Sequence, residues 1–363
     1  MHRKTAFTLE DLGWNDFFAS QWTEEDSNSS APARVAEEFR GHYRLLAAGG
    51  AWLGELAGRL RFDAASREDL PAVGDWVAAQ HRAGSDRATI HRVLARRSKF
   101  SRQAAGTRGD EQIVACNVDT VLLVTSLNRE FSPRRIERYL TMIWESRARP
   151  AIVLNKADLC AERGGFVNEA EAVALGVPIH VTSAATGEGV DALDAYLSRG
   201  QTVALLGSSG VGKSTLINRL LGTEQQATKP VREEDDRGRH ATTSRQMMVL
   251  PRGGVLIDTP GMRELQLWES PGGLAQTFAD VEALAAQCRF DDCSHAREPG
   301  CAVRAAVEDG RVEGARLESY HKLQRELHFQ STKHDKVERA KAEKRWRGIH
   351  KDMKRFYKSR DWK

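Results

Sequence analysis

Two kinds of hydrophobic spacing divide this chain. Between residues 32 and 110 the apolar positions come in short bursts, at 33–37, 42–47, 51–56, 75–81 and 88–93, separated by turns. Short strands without long helical periods predict a small β-barrel, and an OB-like barrel is a common solution at this size. From residue 118 the pattern changes. Residues 118–125 and 151–155 are nearly continuous β-branched and leucine runs, as in strands covered on both faces, and a helix is predicted over 133–147. Shorter apolar strands follow at 178–181, 202–206 and 255–257, with another helix opening at 216–221. This alternation predicts a mostly parallel sheet with helices on both faces. Residues 8–14 read as a helix start followed by a polar linker, hence a loosely attached arm, and from about residue 313 the pattern is helical.

Composition changes this picture only at the C-terminal end. Hydrophobic residues make up 40% and charged residues 29% of 363 positions, enough for two or three cores. No apolar run approaches bilayer-spanning length and the first residues lack a signal-peptide core, so a cytoplasmic protein without membrane contact is expected. The net charge of +4 hides a division: residues 333–363 carry 13 Lys/Arg against 5 Asp/Glu, so the remainder is net acidic. Basic residues of this tail, Lys341 to Lys358 among them, are interleaved with Trp346, Phe356, Tyr357 and Trp362. That pattern suits phosphate neutralisation and base stacking on RNA, or equally a solvated charged face. The barrel segment leaves the same two readings open for Arg40, Tyr43, Arg92, Arg96, Arg97, Lys99 and Arg102.

The chemistry is concentrated after the strands. Between the strand at 202–206 and its helix runs Gly207-Ser208-Ser209-Gly210-Val211-Gly212-Lys213-Ser214-Thr215, a P-loop in its proper strand–loop–helix setting. Its glycines let backbone amides turn toward phosphate oxygens, Lys213 reaches the β- and γ-phosphates, and the Ser214 hydroxyl suits Mg²⁺. Asn155-Lys156-Ala157-Asp158 follows a buried strand. A carboxylate there accepts from both the N1–H and the exocyclic amine of guanine, a donor pair adenine lacks, so Asp158 selects GTP and GDP. Ser183-Ala184 fits a second base loop, in which a backbone amide meets the guanine oxygen. Asp258-Thr259-Pro260-Gly261 ends another strand, with Asp258 placed to hold Mg²⁺ through water and the Gly261 amide to sense the γ-phosphate. Between these elements the polar stretch Arg237-Gly238-Arg239-His240-Ala241-Thr242-Thr243 reads as a switch loop. Either Thr242 or Thr243 is the expected Mg²⁺ ligand.

The order of these parts is rotated relative to Ras-like GTPases, because both base loops precede the P-loop. A compact domain tolerates such rearrangement when its old termini are joined and new ones opened. Three of the five cysteines lie close together, as Cys288, Cys293 and Cys301, with His295 between them. Three thiolates and one imidazole fill a tetrahedral Zn²⁺ shell and leave no position for a substrate water, so the expected site is structural.

Taken together, these motifs in this order resemble the bacterial ribosome small-subunit-dependent GTPase A family, over essentially the whole chain. One departure is Ala241, where relatives often carry a third threonine. The resemblance implies a multidomain fold: an N-terminal arm over 1–34, an OB-like β-barrel over 35–112, a circularly permuted α/β P-loop GTPase domain over 113–274, and an α-helical zinc-binding domain with a basic tail over 275–363. It implies GTP hydrolysis to GDP and phosphate, stimulated by the 30S subunit during late small-subunit maturation. It also implies contacts of a monomer with 16S rRNA, one structural Zn²⁺, and Mg²⁺ with GTP. Met262 stands where Ras-like enzymes place a water-orienting glutamine. The resemblance points to His240 as its replacement, beside Lys213 as the second catalytic group. The competing expectation is an rRNA-binding assembly factor switched by GTP, in which hydrolysis contributes little.

Overall fold

A computed structural model describes residues 7–39, 41–103, 111–222, 246–258 and 271–332. The first helices are short and firmly capped. Asn15 accepts from the Phe17 amide to start α1 (Asp16–Ala19), and Thr23 with Asp26 closes a capping box on α2 (Glu24–Ser29). The arm is not loose. Leu12 and Phe18 are buried, and the Trp14 ring meets Trp76 edge-on at 4.9 Å between centroids. The polar linker masked an irregularly spaced aromatic set whose burial fixes the arm to the barrel. Nor does a helix start at 8–14: that stretch is a turn that ends at Gly13, and the helix begins only after Asn15.

The barrel consists of β1 (Ala31–Phe39), β2 (His42–Ala47), β3 (Gly50–Leu56), β4 (Trp76–His81) and β5 (Arg87–Val93), with α3 (Gly58–Asp63) between β3 and β4. Its neighbour order is β1-β2-β3-β5-β4 and back to β1, so the sheet closes on itself, with β3 and β5 as its parallel pair. Alternate residues Val35, Leu45, Val77 and Ile90 fill the interior. A two-stranded ribbon, β6 (Lys99–Gln103) and β7 (Glu111–Cys116), leads out of it.

The central layer follows with β8 (Thr120–Ser126), α4 (Pro133–Glu145), β9 (Arg149–Asn155), α5 (Gly164–Val173), β10 (Ile179–Val181), β11 (Thr202–Leu206), α6 (Lys213–Leu221), β12 (Gln246–Val249) and β13 (Val255–Asp258). The strand order is β10-β9-β8-β11-β13-β12, parallel throughout except for antiparallel β12. Successive side chains face opposite sides. Leu123, Ile152, Leu206 and Ile257 join a core under α4, while Leu122, Val153, Leu205 and Leu256 pack toward Leu216 and Ile217 of α6. The far edge of β12 pairs with β1 through Glu37 and Gln246, so barrel and central sheet share one hydrogen-bonded surface.

Beyond it lie α7 (Pro271–Thr277), α8 (Ala279–Ala285), α9 (Ala302–Glu308) and α10 (residues 314–332). Arg316 pins this bundle to the sheet domain. Its guanidinium donates to Glu137 of α4 at 2.9 Å, to Asp280 of α8 at 2.7 Å and to the Thr277 carbonyl at 3.0 Å, over the face of Phe278. Among the described residues no helix is long and apolar enough to cross a membrane.

Candidate functional site

Because β8, β9, β10, β11 and β13 are mutually parallel, their C-terminal ends emerge along one edge, where open α/β sheets bind ligands. The loop after β11 is shaped by close packing. Gly207 has φ +151°, and a Cβ there would lie 2.1 Å from the Val124 carbonyl oxygen. Gly212 has φ +96°, and its Cβ would lie 2.2 Å from Asn155 Nδ2. Any side chain at either position would force the P-loop off β8 and β9. Ser209 and Gly210 form its exposed rim, Val211 is buried beneath it, and Ser214 and Thr215 occupy the first turn of α6. Lys213 Nζ donates to the Gly207 carbonyl at 2.8 Å and the Ser208 carbonyl at 2.6 Å, which holds the ammonium across the loop mouth.

The two base loops converge on this one. Asn155, buried at the end of β9, donates from Nδ2 to the Val211 carbonyl at 2.8 Å. Its Oδ1 accepts from the Ala184 amide at 2.9 Å and from the Thr182 hydroxyl at 3.3 Å. Three loops distant in sequence are therefore tied by one amide. Lys156 turns the chain at φ +67°, so Asp158 reaches the surface, where its Oδ1 accepts from the buried Ser183 hydroxyl at 2.6 Å. Asp258 ends β13 beside β11, and Gln246 of β12 lies opposite it. His240, Thr242, Thr243 and Gly261 lie outside the described residues, as do Met262 and the basic tail from residue 333.

Three arginines that the sequence reading passed over complete the edge. Arg163 donates to the Ala157 carbonyl at 2.8 Å and pairs with Glu188 at 2.5 Å, bracing the first base loop against the second. Arg219 of α6 donates to the carbonyls of Ala184 and Ala185 at 3.2 and 2.5 Å. Arg135 of α4 donates to the Ser208 hydroxyl at 3.1 Å. The contacts with Glu188, Ala184 and Ser208 each span more than 20 residues of sequence, so no local pattern marks these arginines.

Of the barrel residues read as facing either RNA or solvent, the three arginines described with their side chains are paired within the protein. Arg92 pairs with Asp26, Arg96 with buried Asp75 at 2.8 Å, and Arg97 with Asp119. Tyr43 is buried, and burial pushes its hydroxyl up to about 12. Lys99, 3.6 Å from Glu68, remains at the surface, while Arg40 and the Arg102 side chain lie outside the described residues.

The second centre lies between α8 and α9. The ligand atoms of Cys288, Cys293, His295 and Cys301 all fall within 4.8 Å of one another. Cys288 Sγ is 3.6 Å and Cys301 Sγ 3.5 Å from His295 Nδ1, and the two sulfurs are 3.9 Å apart. A tetrahedron with Zn–S bonds near 2.3 Å has sulfur–sulfur edges of about 3.8 Å, which the Cys288–Cys301 pair already matches, and the four side chains lie close enough together to hold Zn²⁺. His295 reaches its place through a left-handed backbone, φ +58°. Cys301 also caps α9 by accepting from the Arg304 amide at 3.4 Å. Glu298 closes the intervening loop, and hydrogen bonds from Ser294 and neighbouring amides hold its carboxyl well below the usual range.

Residues 93–268 match the family model of the RsgA GTPase. The small ribosomal subunit biogenesis GTPase RsgA of Opitutus terrae is 49% identical, covering 96% of this chain and 97% of that protein. The protein named small ribosomal subunit biogenesis GTPase RsgA 2 of Lactiplantibacillus plantarum is 48% identical over 88% of this chain and 90% of its own length. Among solved structures, YjeQ from Thermotoga maritima superposes with a TM-score of 0.63 at 30% identity, covering 82% of this chain and 98% of that one. YloQ, a circularly permuted GTPase, has the same fold with a TM-score of 0.59 at 23% identity, over 83% of this chain and 96% of its own. With its barrel, its rotated sheet order and near-half identity along its length, the chain belongs to the RsgA GTPase family.

Proposed function

We propose that this protein is a GTPase of ribosome biogenesis that acts on the 30S subunit and is stimulated by it. The observation that carries the reading is the Asn155 amide, which fastens both base loops to the P-loop and so builds one nucleotide edge from segments in rotated order. In this reading Asp158 takes the guanine donors, Ser183 and Ala184 complete the base pocket, and the P-loop from Gly207 to Thr215 cradles the phosphates. Bound Mg²⁺, held by Ser214, Asp258 and Thr242 or Thr243, would neutralise charge on the β- and γ-phosphates. Water attacks the γ-phosphorus, the bond to the β-phosphate oxygen breaks, and GDP and phosphate leave. Lys213 lies across the loop mouth to meet the developing charge, Gly261 senses the γ-phosphate, and His240 positions the water. Cys288, Cys293, His295 and Cys301 hold a structural Zn²⁺.

The domain reading places an arm at 1–34, a barrel at 35–112, the GTPase at 113–274, and the zinc bundle with its tail at 275–363. Barrel and tail are assigned to 16S rRNA, and the protein is assigned as a cytoplasmic monomer. The test is GTP turnover with and without 30S subunits, for wild type and His240→Ala. Strong stimulation of wild type, lost in the variant while GTP-dependent subunit binding persists, is the expected result. Tight GTP-dependent binding without stimulation of wild type would instead favour a switch in which hydrolysis contributes little.

A further inference from the structure

Ser208 is approached by two cations from different elements. Its carbonyl accepts from Lys213 Nζ at 2.6 Å, and its hydroxyl accepts from Arg135 Nη1 at 3.1 Å. Since both contacts fall on one residue, bond geometry limits the separation of the two charges to on the order of 10 Å. Lys213 is the group that reaches the β- and γ-phosphates in a P-loop. The Arg135 guanidinium therefore lies at the same end of the phosphate site.

The setting of Arg135 supplies a second, independent observation. It sits in the first turn of α4, where backbone amides already carry partial positive charge and cations are disfavoured. That turn holds Arg134 and Arg135 and no acidic residue. Arg134 has its counter-charge in buried Glu137 at 2.6 Å. Among the described residues Arg135 has only the Ser208 hydroxyl, the Glu130 carbonyl at 3.3 Å, and the exposed Glu130 carboxylate at 3.9 Å, a pair too long and too solvated to contribute much. A planar donor fork placed against the local field, beside a phosphate loop, matches an anionic ligand better than it matches these partners.

We propose that Arg135 is a built-in arginine for the terminal phosphate of GTP, supplying from within the chain a positive charge that other GTPases receive in cis or from a partner. The inference rests on the GTPase reading above. Arg135 pairs with a γ-phosphate oxygen and stabilises the charge that develops as the β–γ bridge breaks; it transfers no proton. GDP lacks that oxygen, so the residue distinguishes triphosphate from diphosphate.

The test uses the full chain with Mg²⁺ and compares wild type, Arg135→Ala and Arg135→Lys. Three readouts are taken: affinity for fluorescent GDP, affinity for the imido analogue of GTP, and single-turnover GTP hydrolysis. For Arg135→Ala, GDP affinity is expected to stay within about twofold, analogue affinity to fall about tenfold, and hydrolysis to fall about 100-fold. Arg135→Lys keeps the charge and should recover part of both losses, and it serves as the folded comparison if the alanine variant is unstable. Equal losses for GDP and the analogue would show that Arg135 merely shapes the loop and would overturn the proposal, as would unchanged hydrolysis in both variants. Wild type that bound neither guanine nucleotide would overturn the GTPase reading itself, and this inference with it.

Discussion

The amide of Asn155 makes three hydrogen bonds from a buried position, one to the P-loop and two to the loop after β10. Replacing it by alanine leaves the Val211 carbonyl and the Ala184 amide without these partners, at a cost of about 1–3 kcal/mol. Asn155→Ala should therefore lower both the urea midpoint and GDP affinity, and a variant that lost neither would contradict the bridging role. Asp158 permits a sharper exchange. An asparagine there would present a donor to the guanine amine, but its NH₂ matches the second carbonyl of xanthine. Asp158→Asn should lose at least about 100-fold in GDP affinity and gain xanthosine diphosphate binding in a competition titration. The motifs to which these residues belong were legible in the sequence because base and phosphates demand particular groups at fixed local spacing. Arg135, Arg163 and Arg219 were not, since their contacts with Ser208, Glu188 and Ala184 arise only from the packing of distant elements.

Among the elements, buried strands were the easiest to read. Runs such as Val121 to Val124 have no polar face to offer, and the structure buries them on both sides. The N-terminal arm misled for the opposite reason: a few aromatics scattered among polar residues carry its attachment, and no periodicity announces them. The zinc bundle was readable in its ligands but not in its anchorage. Removing Zn²⁺ with a chelator, or substituting Cys301→Ser, should unfold the segment between α8 and α9 and free the cap of α9. Metal content by mass spectrometry should fall from one Zn²⁺ per chain, with a loss of helical circular dichroism. Anchorage depends on Arg316, whose guanidinium neutralises fully buried Glu137. Arg316→Ala leaves that carboxylate with only Arg134 among the described residues, and should cost about 3–5 kcal/mol in urea unfolding while zinc content stays intact.

Across the whole molecule, Arg34 is the common fastener. From β1 it donates to the Leu12 carbonyl of the arm, to the Gly74 carbonyl of the barrel at 3.2 Å and to the Asn117 carbonyl at the entry to β8 at 3.1 Å. Complete burial lowers its pKa to about 10, so it stays protonated at neutral pH, where its three donors keep these carbonyls paired. Arg34→Met should lower the melting temperature and expose Trp14 and Trp76 to solvent, seen as a red shift in tryptophan emission at pH 7. The rotated motif order was legible as a string, but the seam between barrel and sheet was not, because Glu37 and Gln246 meet across some 200 residues of sequence. That seam has a mechanical meaning. Gln246 lies opposite Asp258 on one side and opposite Glu37 on the other, so it forms a crossbar between the candidate magnesium carboxylate and the hairpin that turns after Phe39. Tilting one end of a crossbar tilts the other: a spin-label distance between Phe39 and Leu159 should shift when GDP is exchanged for a triphosphate analogue, making the barrel a pointer driven by the nucleotide.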